Sequence, residues 1–105
     1  MMRSPIPKEI RNKLSKDPFM ERCILAPLFC AGRIEWNHAM TYKGKRTNEL
    51  YTILPMCREH HAKEASYHDA INSVLRARIS HFKAENEFRR KYPRSNLLSQ
   101  PNPVE

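Results

Sequence analysis

The chain has 105 residues, with 19 Lys and Arg against 11 Asp and Glu, a formal charge of +8 at pH 7. That length suits one domain with a modest core, and the basic balance points to a polyanionic partner, nucleic acid being the commonest. The cations are not gathered on a strongly apolar amphipathic stretch, which speaks against a membrane surface. The longest apolar run, CILAPLFCAG at 23–32, is broken by Pro27 and too short for a membrane span or a signal-peptide core, so a cytosolic protein is expected.

Residues 4–16, SPIPKEIRNKLSK, open on Ser4 and two prolines and set Ile10 and Leu14 one helical turn apart. This predicts a short amphipathic helix within an N-terminal arm over 1–18, with Lys8, Arg11, Lys13 and Lys16 toward solvent or a phosphate backbone and Asp17–Pro18 as its stop. Residues 19–57 are the least helical. RIEWNHAM at 33–40 and ELYTILPM at 49–56 predict an antiparallel strand pair, with Ile34, Trp36, Tyr51, Ile53 and Leu54 as the β-favouring side chains. Trp36 alternates with Ile34 and reads as a core anchor under the hairpin. Between the strands, TYKGKRTN reads as a basic loop.

A helix is expected to start near Cys57, and one long helix to run from about Tyr67 to Tyr92 within a basic C-terminal segment, 67–94. Ile71, Val74, Leu75, Ile79 and Phe82 share a face, Phe88 continues it less regularly, and Pro93 stops it. Arg76, Arg78, Lys83, Arg89, Arg90 and Lys91 load the rest of that helix with positive charge. Residues 95–105 read as a frayed, flexible tail.

Three cysteines in a reducing compartment, an odd count with histidines nearby, favour a metal over a disulfide framework. Two short loops, one with Cys23 and Cys30 and one with Cys57 and His60, would each give a ligand pair to one tetrahedral zinc. The first pair is spaced more widely than is usual, and the competing reading is three small buried cysteines. If His60 closes the zinc site, His61 points roughly 100° away around the helix and cannot serve the same ion. It would face the strand pair and could meet Asn37 and His38 at the end of the first strand. His68 and His81 have no second ligand at a matching spacing and read as surface or partly packed histidines.

A hairpin with a histidine at the end of its first strand, an asparagine in the connection and a Cys-x-x-His-His helix start resembles the HNH family, the ββα-metal nucleases, over residues 23–63 or so. The pairing of EWNHAM with NEL and LPMC resembles its small phage-encoded members. The resemblance implies an α+β fold with a zinc-supported ββα core at 19–66, flanked by the N-terminal helix and the long C-terminal one. It implies His38 as general base, Asn48 as the asparagine that pins the loop, and His61 as ligand of a catalytic divalent ion such as Mg2+, Mn2+ or Ni2+, beside a structural Zn2+. Asn37 stands on the other side of that ion, where such enzymes usually carry an aspartate. An amide oxygen is the weaker ligand, so either Asn37 binds the ion poorly, or Glu35 or another group adds to the site, or catalysis is lost. DNA is the implied partner, a 5′-phosphate the implied product, phage recombination or replication the implied setting, and the bacterial host cytosol the implied place.

The residue types suit that chemistry. Phosphodiester hydrolysis needs an in-line water, a base for its proton and positive charge at the departing oxygen, and a neutral imidazole is a base at cellular pH. A bond from the other ring nitrogen of His38 to a backbone carbonyl would fix its tautomer. Arg58 could hold the product phosphate, and Lys43, Lys45 and Arg46 could guide the DNA backbone, although each also reads as a solvated charge. The apolar stripe of the long helix permits packing on the centre, lying along DNA, or a homodimer whose two sites cut both strands. Two further readings stay open: a zinc-stapled DNA-binding module that does not cut, and a protein–protein adaptor built on the long helix.

Overall fold

The computed structural model describes residues 6–26 and 28–95; Ser4, Pro27 and the expected tail beyond Ser95 lie outside them. The fold is α+β. Helix α1 (Lys8–Ser15) starts after Pro7, which has no N–H to leave unpaired, and buries Leu14. Asp17 then accepts the Phe19 amide at 3.0 Å and starts a 3-10 turn over Pro18–Glu21, so the expected stop operates as a cap for the next turn.

Strand β1 (Ile34–His38) pairs antiparallel with a second long strand, Ile53–Cys57, in a register from Ile34↔Cys57 to His38↔Ile53. Both are shorter than their sequence patterns. Tyr51 is not in a strand, because residues 49–52 form a turn in which Thr52 N–H bonds to Glu49 O at 3.1 Å. The basic loop is itself ordered as β2 (Thr41–Tyr42) and β3 (Lys45–Arg46), which makes the Ile53–Cys57 strand β4. Lys43 (φ 52°) and Gly44 (φ 81°) form the two-residue turn between β2 and β3, both left-handed as a hairpin that follows the strand twist requires.

All five residues of β4 are buried, and its two faces carry two cores. Leu54 and Met56 pack with Met40, Tyr51, Ile71, Leu75, Ile79 and Phe88. Ile53 packs with Leu14 and Met20, and Trp36, Ile10 and Leu50 lie against that cluster. A proline is tolerated in β4 because its outer edge has no strand partner among the described residues; the Pro55 carbonyl instead accepts the Ile24 amide at 3.0 Å, drawing the preceding loop onto that edge.

After α2 (Arg58–Ala62) and a 3-10 turn over Glu64–Tyr67, the expected long helix is two helices, α3 (His68–His81) and α4 (Glu85–Lys91). Lys83 takes a left-handed conformation (φ 53°), its N–H bonds to Ser80 O and the Ala84 N–H reaches back to Ile79 O, each at 2.9 Å. This is the paired-bond helix stop usually built on glycine. With lysine there, nothing in the local sequence announces it. The break turns Phe88 onto Tyr51, with ring centroids 6.1 Å apart, and brings Tyr92 and Lys91 to the Glu49 carboxylate.

Arg78 is not one of the helix's surface cations. It is buried, its Nη2 lies 2.8 Å from Asp17 Oδ2, and its guanidinium stacks 3.9 Å above the Phe19 ring, which ties α3 to the N-terminal arm. Burial alone would raise the Asp17 carboxyl, but the Arg78 hydrogen bond, the Phe19 amide and the Arg78 charge outweigh it and hold it below the ordinary carboxylate range. A carboxyl depressed in the folded state stabilises fully above the unfolded value, about pH 4, and loses that contribution as pH falls further. Arg78→Met should therefore cost about 2–3 kcal/mol in urea unfolding at neutral pH. The gap to wild type should narrow in unfolding measured near pH 3.

Candidate functional site

Three chain segments converge at one point. Cys23 follows the 3-10 turn, Cys30 ends the loop before β1, and Cys57 closes β4 and opens α2, whose first turn carries His60. The His60 Nδ1 atom lies 3.5 Å from Cys23 Sγ, 3.6 Å from Cys30 Sγ and 3.2 Å from Cys57 Sγ. All four donor atoms are within 4.8 Å of one another, and the three cysteines are free thiols. Tetrahedral zinc, with Zn–S about 2.3 Å and Zn–N about 2.0 Å, sets sulfur and nitrogen roughly 3.5 Å apart. The group fits such an ion.

The wide Cys23–Cys30 spacing is absorbed by turns, with Ala26 N–H on Cys23 O at 3.0 Å and Leu28 N–H on Leu25 O at 2.9 Å. Backbone amides point at the sulfurs, as they do around metal thiolates: Leu25 N–H donates to Cys23 Sγ and His60 N–H to Cys57 Sγ, each at 3.4 Å. The other opening amides of α2 are met by the loop, Arg58 N–H by Arg33 O at 2.9 Å and Glu59 N–H by Ala31 O at 3.1 Å. Gly32 lies between those two acceptors at φ 87°, and a Cβ there would stand 2.7 Å from Arg58 Cβ. Only glycine permits both that conformation and that approach.

The electrostatics suit cation capture. Burial disfavours the Cys57 thiolate, but the His60 and Ala31 amides and the neighbouring thiols overcome it and bring the thiol down to about 6. Burial and the Cys23 and Cys57 sulfurs push Cys30 up to about 11. Metal ligation replaces that proton with a charge the sulfurs share.

His61 turns away from this group. Its Nδ1 lies 2.8 Å from Glu35 Oε1, and its Nε2 is 4.0 Å from an oxygen of Glu64, three residues on. That Glu64 oxygen is buried and has no hydrogen-bond partner. The His61 hydrogen bond, opposed by burial and reinforced by the charges of His61, Arg58 and Arg33, lowers the Glu35 carboxyl. Asn37 is buried with its amide nitrogen 3.3 Å from Met56 Sδ, which leaves the amide oxygen as its available ligand atom. Its register partner Leu54 and the Glu35 partner Met56 both belong to the α3 core, so Glu35 and Asn37 share one face of β1.

His38 does not join them. It alternates with Trp36 onto the other face of β1, opposite Ile53, and its Nε2 is 2.9 Å from Asn48 Oδ1. A side-chain amide therefore meets this ring, not the backbone carbonyl that was expected. His38 pairs with Asn48 and His61 with Glu35, on opposite faces of one strand. Lys43, Lys45, Arg46 and Arg58 are all exposed, and His68 and His81 are exposed too, His81 meeting the Phe82 ring edge-to-face. Sequence reading missed Glu64, although helical spacing from His61 signals it, and Arg33, whose Nε lies 3.9 Å from Glu35.

No protein-family model, curated protein or solved structure matches this chain. The site is thus defined by its own chemistry, an α+β domain with a Cys3His group that could hold a metal ion such as zinc.

Zinc affinity measured by competition with a chromophoric chelator should rise with pH across the neutral range, because Cys30 must shed a proton. It should fall more steeply once pH drops through about 6, where Cys57 takes its proton back. Stripping the ion should lower the thermal midpoint by roughly 10 °C or more.

Proposed function

We propose that this chain is a metal-dependent DNA endonuclease of the HNH type, with a zinc-supported ββα core formed by β1, β4 and α2 and a setting in phage recombination or replication. The observation that carries the reading is the division between neighbouring imidazoles: His60 enters the Cys3His group while His61 reaches out 2.8 Å to a carboxylate on β1. One helix turn can hold a structural ion on one side and present a second donor set on the other. Glu35 and His61, with the Asn37 oxygen on the same strand face, would hold the catalytic divalent ion, which when bound supplies positive charge for the departing oxygen. A carboxylate thus takes the part that the amide of Asn37 fills poorly.

His38 is the general base in this reading. Asn48 Oδ1 accepts only, so it fixes the ring proton on Nε2 and leaves the Nδ1 lone pair to take a proton from the attacking water. Arg58 and the β2–β3 hairpin cations, Lys43, Lys45 and Arg46, hold and guide the phosphate backbone, and DNA is the partner. A homodimer would place two such sites on one duplex.

A second reading, a zinc-stapled DNA-binding module that does not cut, is favoured by one observation: His38 and the Glu35–His61 pair occupy opposite faces of β1. Supercoiled plasmid incubated with the zinc-loaded chain and Mg2+, Mn2+ or Ni2+ separates the two. The nuclease reading expects nicking that falls roughly 100-fold or more in His38→Ala with zinc content unchanged, and a raised metal requirement in Glu35→Gln. Binding without cleavage under all three metals would establish the module instead.

A further inference from the structure

Two large apolar side chains stand exposed among the described residues, and both lie in the loop between Cys23 and Cys30: Leu28 at 47% and Phe29 at 86%. Phe29 also has φ 47°. A left-handed backbone costs a residue with a Cβ roughly 1 kcal/mol or more, and glycine or asparagine would fill such a turn without that cost. Here the chain accepts both backbone strain and an almost fully hydrated aromatic ring, and the ring gains no packing in return. Backbone strain of this kind clusters at binding and active sites.

The surroundings say what the ring meets. Phe29 adjoins the ligand Cys30, so its base is anchored by the Cys3His group. Two residues past Cys30, Gly32 backs onto Arg58, and the Arg33 carbonyl binds the Arg58 amide. Arg33 and Arg58 are both exposed, and the chain as a whole carries +8. An exposed aromatic ring next to the Cys3His group, with the exposed Arg33 and Arg58 joined to each other through their backbones a few residues on, matches the chemistry of an unpaired nucleobase and its flanking phosphates. An apolar protein groove would not call for the arginines, and a lipid surface takes cations gathered on a strongly apolar amphipathic stretch, which Leu28 and Phe29 alone do not make. A fully paired duplex buries its base faces and offers the ring nothing to stack on.

We propose that Phe29 is a stacking platform for an unpaired nucleobase, with Arg33 and Arg58 holding the adjacent phosphates, so that this domain prefers DNA with a bulged, flipped or single-stranded base over a perfect duplex. The inference rests on the nucleic-acid reading above and names its substrate class.

The test compares the zinc-loaded full chain with Phe29→Gly and Phe29→Trp in fluorescence-anisotropy titrations. The probes are a labelled perfect duplex and the same duplex with one unpaired base. Phe29→Gly removes strain together with the ring, so its thermal midpoint and zinc content should be equal to or above wild type. Its affinity for the unpaired-base DNA should fall roughly tenfold, with affinity for the perfect duplex unchanged. Phe29→Trp should restore the preference, and its emission should be quenched on binding. If Phe29→Gly loses stability or zinc, the ring is structural and the inference is overturned. Wild type that binds DNA while Phe29→Gly binds each probe as tightly as wild type does overturns this inference alone. So does a change of oligomeric state in Phe29→Gly, which would make the ring a contact with a second copy. Wild type that binds neither probe overturns the nucleic-acid reading and this inference with it.

Discussion

The structure depends on the convergence of three thiols and one imidazole at the junction of β4 and α2. Among the described residues the long sheet has two strands, and a pair of that kind is marginal in water unless something packs on or ties it. Hydrophobic contact supplies part of the support, since β4 is buried on both faces. The loop from Cys23 to Arg33, however, has exposed residues over most of its second half, and what draws it in is the Cys3His group and the amides of α2. An ion bonded to all four donors would join that loop, the strand end and the helix start in one step, with a binding free energy that becomes folding free energy.

From that junction the placement of the remaining chemistry follows. Cys57 caps α2 through its sulfur, which sets the helix start, and the helix start sets His60 inward and His61 outward. Strand alternation then decides which β1 residues His61 can meet, and they are Glu35 and Asn37, with His38 on the far face. The same alternation puts Trp36 over Ile53 and beneath the N-terminal arm. The arm is held in turn by the Arg78–Asp17 pair, so the two cores flanking β4 are linked by one buried charge pair at their margin.

Residue type and spacing made the metal group legible, because thiolate and imidazole ligands announce themselves and a helix separates adjacent side chains by a known angle. The strand pair, the amphipathic first helix and the anchoring role of Trp36 were legible for the same reason, as consequences of periodicity. Other features hide from a linear reading. The helix break at Lys83 uses neither glycine nor proline, so only its backbone bonds reveal it. Arg78 looks like any surface cation until Asp17, 61 positions earlier, is brought against it. The Asn37 amide is committed to a methionine sulfur across the sheet, and the exposure of Phe29 depends on the path of a turn that composition does not encode.

The proposed chemistry requires that neighbouring imidazoles have separate duties, and zinc stoichiometry of two single variants addresses that most directly. Elemental analysis after dialysis against a weak chelator should find one tightly held zinc per chain in wild type and in His61→Ala, and none retained in His60→Ala. Equal loss of zinc in both variants, or its retention in His60→Ala, would contradict the division of labour on which the site and its proposed chemistry are built.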